Sequence, residues 1–345
     1  MHLIAKVTFA VWLGLSSVAF YGCQSDVQPR LALYHWQGQW APNEAMRTWA
    51  EGLGPTWWYV RFFDLDLSAD GRDVEPISQL SWTAPLPDTL AAVVFITTRA
   101  LEVVPQHTLA TLASRMYRLL DTMAQAAGVQ LAEVQLDCDW TPSLRAKYFK
   151  LLSAFQQILS PHIVLSATIR LHQVKWAART GVPPVDKGML MVYHTGDVRR
   201  RGVRNAILQT EVLKQYLYGF DTYPLPLDVV WPLFSWGVLW REGRFIRLIS
   251  PLSAQDLADS SRFASSDKLH FSVRRATWLK GYYLYSGDSI RLERVPFDTL
   301  QQAAAILADA LARTPTRVAF YHFDTTVPQL WTHDQLYQIL ETTAR

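Results

Sequence analysis

Cysteine is almost missing from the chain: Cys23 and Cys138 are the only 2 among 345 residues. That excludes a disulfide-stapled scaffold and a cysteine-based zinc site, both of which need pairs at short spacing. Charge is scarce too, at 18% of residues with a net +3, too little to argue for nucleic acid or an anionic membrane surface as a partner. No G-x-G-x-x-G or Walker turn follows any apolar run, so a nucleotide would find no phosphate cradle. A G-x-S-x-G elbow and an H-E-x-x-H pair are also absent, which leaves serine-hydrolase and zincin chemistry without footing. No tract is disordered or low in complexity by composition. The one basic cluster, Arg199-Arg200-Arg201 with Arg204, reads as a solvated loop before a helix, with phosphate binding as the alternative.

Apolar residues make up 50% of the chain, enough for a large core in one barrel or two smaller domains. The first apolar run, from Val7 to Gly22 behind Lys6, is roughly 16 residues, short of the ~20 that a spanning helix needs. It predicts an export signal over residues 1–22. Cys23 after Phe20-Tyr21-Gly22 is similar to a bacterial lipobox, which implies cleavage and lipidation at Cys23, with an ordinary secreted protein as the alternative. Residues 23–30 form a short polar tether. The expected location is therefore the bacterial cell envelope, on the periplasmic or outer-membrane face, with the membrane reached only through a lipid anchor.

From residue 31 onward short β-rich runs alternate with helical ones. Strands are predicted at Leu31–Trp36, Trp57–Asp64, Val93–Arg99, Glu133–Trp140, Ile163–Leu171, Gly188–His194, Leu225–Trp231 and Arg317–Asp324, and helices fall between most of them. Parallel strands need helical crossovers, and eight such units favour an α/β (β/α)8 TIM-type barrel over residues 31–345. Residues 241–295 break the rhythm with strand and turn patterns, a β-rich insertion after the seventh strand, placed to wall one side of an active cleft.

Barrel chemistry gathers at the C-terminal ends of strands. Those ends carry His35 and Trp36, Asp64 and Asp66, Thr97 and Arg99, Asp137 and Asp139, Arg170 and His172, Tyr193 and His194, and His322 and Asp324. On the fifth strand Ser166, Thr168, Arg170 and His172 share one face, and the aliphatic face must meet the helices, so the polar face lines the barrel. The same alternation sends Asp137, Asp139, Thr97 and Arg99 inward, with Arg99 and Arg170 reaching the two aspartates from either side. Two readings follow: a buried ion-pair network that holds Asp137 ionised, or a ligand site in which Asp139 stabilises developing positive charge. Each histidine, taken alone, is more often structural than catalytic. Convergence of His35, His172, His194 and His322 with Asp324 on a metal is a weaker possibility, since no local ligand motif supports it, and neither metal nor cofactor is expected. The chain holds 14 Trp; Trp36, Trp40, Trp140, Trp231, Trp236 and Trp240 lie where sugar rings could stack on them, or where they could simply pack the barrel.

The fourth-strand stretch VQLDCDWT and the sixth-strand stretch MVYH resemble motifs of the chitinase-like (family 18) glycoside hydrolases, which are (β/α)8 barrels. Their D-x-x-D-x-D-x-E falls on Val134, Asp137, Asp139 and Thr141, and their Met-x-Tyr-Asp on Met191, Val192, Tyr193 and His194. The resemblance implies Asp139, Asp137 and Tyr193 as catalytic residues, and a glycan or polysaccharide as the partner. Substrate contacts would come from Arg99, Arg170, His172, His194, Trp140, Trp236, His322 and Asp324. It also exposes a departure, because the proton-donating Glu is Thr141 here, and a hydroxyl is far too weak an acid for that work. Either another group, such as His172, His194, His322, Asp64 or Asp324, donates the proton, or the site binds glycan without cleaving it. VQLDCDWT, LSATIRLHQ, GVPPVDKGMLMVYH and PLPLDVVWPLFSWG are also similar to a domain-of-unknown-function family of bacterial envelope lipoproteins, which implies no activity.

Overall fold

The computed structural model describes residues 29–54 and 56–345; the expected signal segment, Cys23 and most of the tether lie outside the described residues. Eight parallel strands form a closed ring: β1 (Arg30–His35), β2 (Trp57–Leu67), β3 (Thr89–Ile96), β4 (Gln130–Asp137), β5 (Val164–Arg170), β6 (Lys187–Met191), β7 (Leu227–Pro232) and β8 (Arg317–Tyr321). β1 pairs with β8 on one side (Leu31 opposite Val318) and with β2 on the other (Leu33 opposite Trp58), which closes the ring. The (β/α)8 barrel expected from the strand–helix alternation is therefore the fold. A short strand, Val74–Ile77, adds antiparallel to the outer part of β2.

Local chemistry sets where the elements begin and end. Asn43 caps the helix Glu44–Gly52 by accepting from the Met46 amide at 2.9 Å. The long helix Leu109–Ala127 stops at Gly128, whose φ of +68° turns the chain straight into β4. β6 and its neighbours approach closely at Gly188, where a Cβ would lie 2.7 Å from Ile169 Cγ1 and 2.8 Å from Leu227 Cδ2. A side chain there would have to displace the Ile169 and Leu227 side chains of the two flanking strands.

Inside the ring the polar face runs from base to mouth. At the base, fully buried Glu133 accepts from Ser166 (2.6 Å) and Arg317 and pairs with Lys187 (3.1 Å). Lys187 also reaches Asp228 at 2.6 Å, so each charge there has a partner of opposite sign. Above it, Tyr34 donates to Gln135 (2.5 Å) and Gln135 to Ser166 (3.2 Å), and Tyr34 stacks on Tyr59 at 4.6 Å. Val134 and Leu136 of β4, and Leu165, Ala167 and Ile169 of β5, point the other way into the apolar layer under the helices.

After β7 the chain leaves the barrel for an antiparallel sheet of five strands in the order Arg244–Ile249, Trp236–Arg241, Ser289–Glu293, His270–Val273, Phe263–Ser265, with a hairpin of Thr277–Leu279 and Tyr282–Leu284 beside it. This is the β-rich insertion after strand seven, and its first strand starts at Trp236. It has its own apolar core, which includes Leu239, Ile249, Phe263, Val273 and Ile290. Arg241 braces the turn before Ser289 through two hydrogen bonds to Asp288, both 2.8 Å.

Candidate ligand site at the barrel mouth

β4 ends at Asp137, three residues before its expected end, and that early stop separates the two aspartates. Asp137 is the last inward group of the strand, 4% exposed, and its Oδ1 accepts from the Thr168 hydroxyl of β5 at 2.6 Å. Its Oδ2 makes no hydrogen bond among the described residues. Asp139 lies beyond the strand with half of its side chain open, and both of its oxygens accept from Arg170, Nε at 2.5 Å and Nη2 at 3.0 Å. This is a bidentate fork that holds the carboxylate plane fixed.

The two carboxyls are driven apart in acidity. Burial pushes Asp137 up to about 6, and the neighbouring Asp139 adds to the rise, against the smaller pull of Arg170 and the Thr168 hydroxyl. Burial also works on Asp139, but the charge and hydrogen bonds of Arg170 outweigh it and hold that carboxyl below its ordinary range. Asp139 is thus the permanent anion and Asp137 the group that keeps a proton into mildly acidic solution. Asp137 is therefore ionised at neutral pH and takes up its proton in mildly acidic solution, because its desolvation exceeds the stabilisation that one arginine supplies.

Arg170 links this pair to β6. Its Nη1 lies 3.3 Å from His194 Nδ1 and its guanidinium sits 5.6 Å from the centre of the Tyr193 ring. An arginine has no acceptor, so Nδ1 must accept and the imidazole is neutral with its hydrogen on Nε2. Burial and the Arg170 charge agree with this, lowering His194 to about 4. His194 has φ +60°, a left-handed backbone that costs a non-glycine residue on the order of 1 kcal/mol. Its ring stacks on Trp236 at 5.6 Å and 15°, so the strained residue joins the insertion to the mouth.

The floor is aromatic. Tyr193 and Tyr321 stack at 5.5 Å, and Phe234 meets both edge to face at 5.7 and 5.8 Å. The Tyr193 hydroxyl has no bond among the described residues, and burial raises its pKa, so it remains a neutral donor. Trp36 leans on Tyr321 at 5.4 Å and stays partly exposed. Tyr321 and Phe234 were not anticipated. Tyr321 shares the parity of inward Arg317 on β8, so strand alternation could have found it; Phe234 lies past the end of β7 and carries no such signal.

Several expected contacts fall elsewhere. Arg99 does not reach the aspartate pair: β3 stops at Ile96, Thr97 caps the helix Thr98–Val103, and Arg99 binds Asp66 through Nε at 2.7 Å and through Nη2. Trp140 is 1% exposed, donates to the Thr180 carbonyl at 3.0 Å and stacks on Tyr148 at 5.1 Å, so it packs the core and offers no face to a sugar. Trp236 is 6% exposed with its indole bonded to Glu293 at 2.7 Å, and acts through His194. Trp40, Trp231 and Trp240 are buried as well. Asp324 is fully buried and spends Oδ1 on the Thr326 amide and hydroxyl, while His322 lies behind it at 3.7 Å, lowered by burial against the pull of that carboxylate. Asp324 has no exposed surface, and His322 keeps 15% of its side chain exposed beside Tyr321. His35 is buried against Gln39, and Asp64 is paired with Arg61 at 2.8 Å, raised by burial. His172 is exposed near Asp139, its pKa lowered by burial and Arg170 against the pull of Asp139. The histidines do not converge, and no group of three or more His, Cys, Asp or Glu among the described residues is placed to hold a metal ion. Thr141 is exposed, with its hydroxyl 2.8 Å from that of Ser143.

No protein-family model matches the chain, and no curated protein matches it. Solved structures of similar fold include the spore cortex-lytic enzyme SleL of Bacillus cereus, at 14% identity and TM-score 0.54 over 91% of this chain and 74% of that one. A chitinase from Chromobacterium violaceum is similar at 12% identity and TM-score 0.54 over 92% of this chain and 99% of its own. SleL of Bacillus megaterium follows at 11% identity and TM-score 0.53, with 92% and 74% covered. At such identities the likeness speaks to the fold: a closed eight-stranded parallel barrel with flanking helices.

Proposed function

We propose that this protein binds a glycan at the mouth of its barrel and does not hydrolyse it. One observation carries the reading: the open carboxylate of the site, Asp139, has both oxygens taken by Arg170, and the position that would supply the acid is Thr141. Family resemblance in the strand motifs and fold neighbours named for lysing chitin and spore cortex support a sugar polymer as the ligand. Recognition would come from the Asp139–Arg170 fork, the neutral His194 and Tyr193 as hydrogen-bonding groups, and the partly exposed Trp36 as an apolar face. A lipid on Cys23 would hold such a barrel at the cell envelope.

A hydrolytic reading has one specific support. Asp137 keeps a proton up to about pH 6, so it is the carboxylic acid of the site best able to donate. Calorimetry and product analysis with chitin and peptidoglycan fragments separate the two. The expected outcome is binding with intact fragments recovered, weakened roughly tenfold or more by Asp139→Asn through the loss of a charge-assisted contact. New reducing ends that disappear in Asp137→Asn would establish hydrolysis instead.

A further inference from the structure

A second opening lies away from the mouth. A cleft of about 1120 Å³ runs between the insertion and the outer face of the barrel, and none of Asp137, Asp139, Arg170 or Tyr193 lines it. The Asn205 side chain spans the two bodies by donating to the Arg294 carbonyl at 2.7 Å, so barrel loop and insertion are joined at its edge. The floor is apolar, with buried Leu257, Phe263 and Leu292. Around it stand Arg204, Lys268, Arg274 and Arg294, all exposed, against a single carboxylate, Glu211, which is itself paired with Lys214 at 3.1 Å. Among the described residues none of those four cationic side chains makes a hydrogen bond or an ion pair.

Unpaired like charges gathered around one cavity repel each other, and an anion that enters relieves the repulsion. Arg204 belongs to the loop with Arg199, Arg200 and Arg201, and the backbone carbonyls of Arg200 and Arg201 accept from buried Arg291 of the insertion. The basic loop is therefore fastened to the insertion instead of waving in solvent. Gln209 and Gln302 add neutral amides along the walls. Cations, amides and an apolar floor together match a chain that alternates charged groups with hydroxyls and ring faces. The volume suits several sugar residues in a row.

We infer that this cleft is a second binding site, for an acidic glycan whose carboxylate or phosphate groups are met by Arg204, Lys268, Arg274 and Arg294. The inference does not rest on ligand binding at the mouth. The test is calorimetry on the full chain with hexagalacturonate as the carboxylate probe, a glycerol-phosphate oligomer as the phosphate probe, and poly-glutamate as an acidic peptide. At least one of the two polyhydroxyl anions should bind, more weakly as salt is raised. Arg274→Gln with Arg294→Gln should weaken it about tenfold, as expected for two lost charge contacts at a solvated site, and Lys268→Gln, on a separate loop, should weaken it further. Which anion binds more tightly identifies the charged group. Failure of both to bind, unchanged affinity in the variants, or poly-glutamate binding as tightly as either glycan probe would overturn the assignment. All three substitutions fall on exposed side chains, and circular dichroism melting verifies that the variants remain folded.

Discussion

Replacing Asp137 by Asn should make the protein more stable at neutral pH, because burial raises the pKa of this carboxyl. Asn keeps the shape and the acceptor for the Thr168 hydroxyl at 2.6 Å, and its amide can turn toward the position of Oδ2, which has no partner among the described residues. What it removes is a carboxyl whose folded-state pKa stands at about 6 against an ordinary 3.8. The folded state therefore binds this proton more tightly than the unfolded chain does. Below pH ~4 the group is protonated in both states and costs nothing. Between pH ~4 and ~6 the wild type loses stability, and above ~6 it carries the full cost of a buried charge, about 3 kcal/mol. The variant escapes that loss. Urea denaturation of both proteins at intervals from pH 4 to pH 8 should give curves that coincide at the acid end and diverge by about 3 kcal/mol at the neutral end. Parallel curves, or a variant less stable at pH 8, would show that Asp137 is solvated and ionised, and would remove the acidity difference between the two aspartates.

Trp140→Ala should cost about 3–5 kcal/mol in urea denaturation, the range for emptying a large buried aromatic site. Glycan affinity of the remaining folded protein, read by calorimetry at low temperature, should stay within about twofold, since the ring meets Tyr148 and Thr180 and no ligand surface. Lipid attachment is expected at Cys23: cells grown with a clickable fatty acid should label the full-length protein, and Cys23→Ser should abolish the label; retention of label in the variant would place the anchor elsewhere.

Strand alternation was a sound guide wherever a strand continued. Ser166 and Thr168 on β5, and Gln135 and Asp137 on β4, face one another across the interior, as the parity of polar and aliphatic residues requires. It failed where the strand had already ended. Arg99 was assigned inward by extending β3 through Thr97, yet Thr97 accepts from the Ala100 amide and begins a helix; a β-branched pair such as Thr97-Thr98 reads as strand until the cap is seen. Asp139 lies past the end of β4 as well, yet it still meets Arg170 at the mouth, because Arg170 at the end of β5 reaches across to it. Tryptophan burial was illegible for another reason. The groups that accept Trp140 and Trp231 are Thr180 and Thr343, 40 and 112 residues away, and composition cannot show whether such partners arrive. The proton on Asp137 was likewise hidden, because it depends on how completely the mouth excludes water from that carboxyl.

The place where the insertion joins the barrel has a consequence for how such proteins diversify. Its first and last strands lie side by side, with Trp236 opposite Glu293, and its apolar interior is separate from that of the ring. Removing or exchanging everything between those two residues would leave ends already adjacent, and a short turn could close them without widening the gap between β7 and β8. The architecture lets the segment beside His194 be rewritten as a cassette while the ring that holds Asp137 stays as it is.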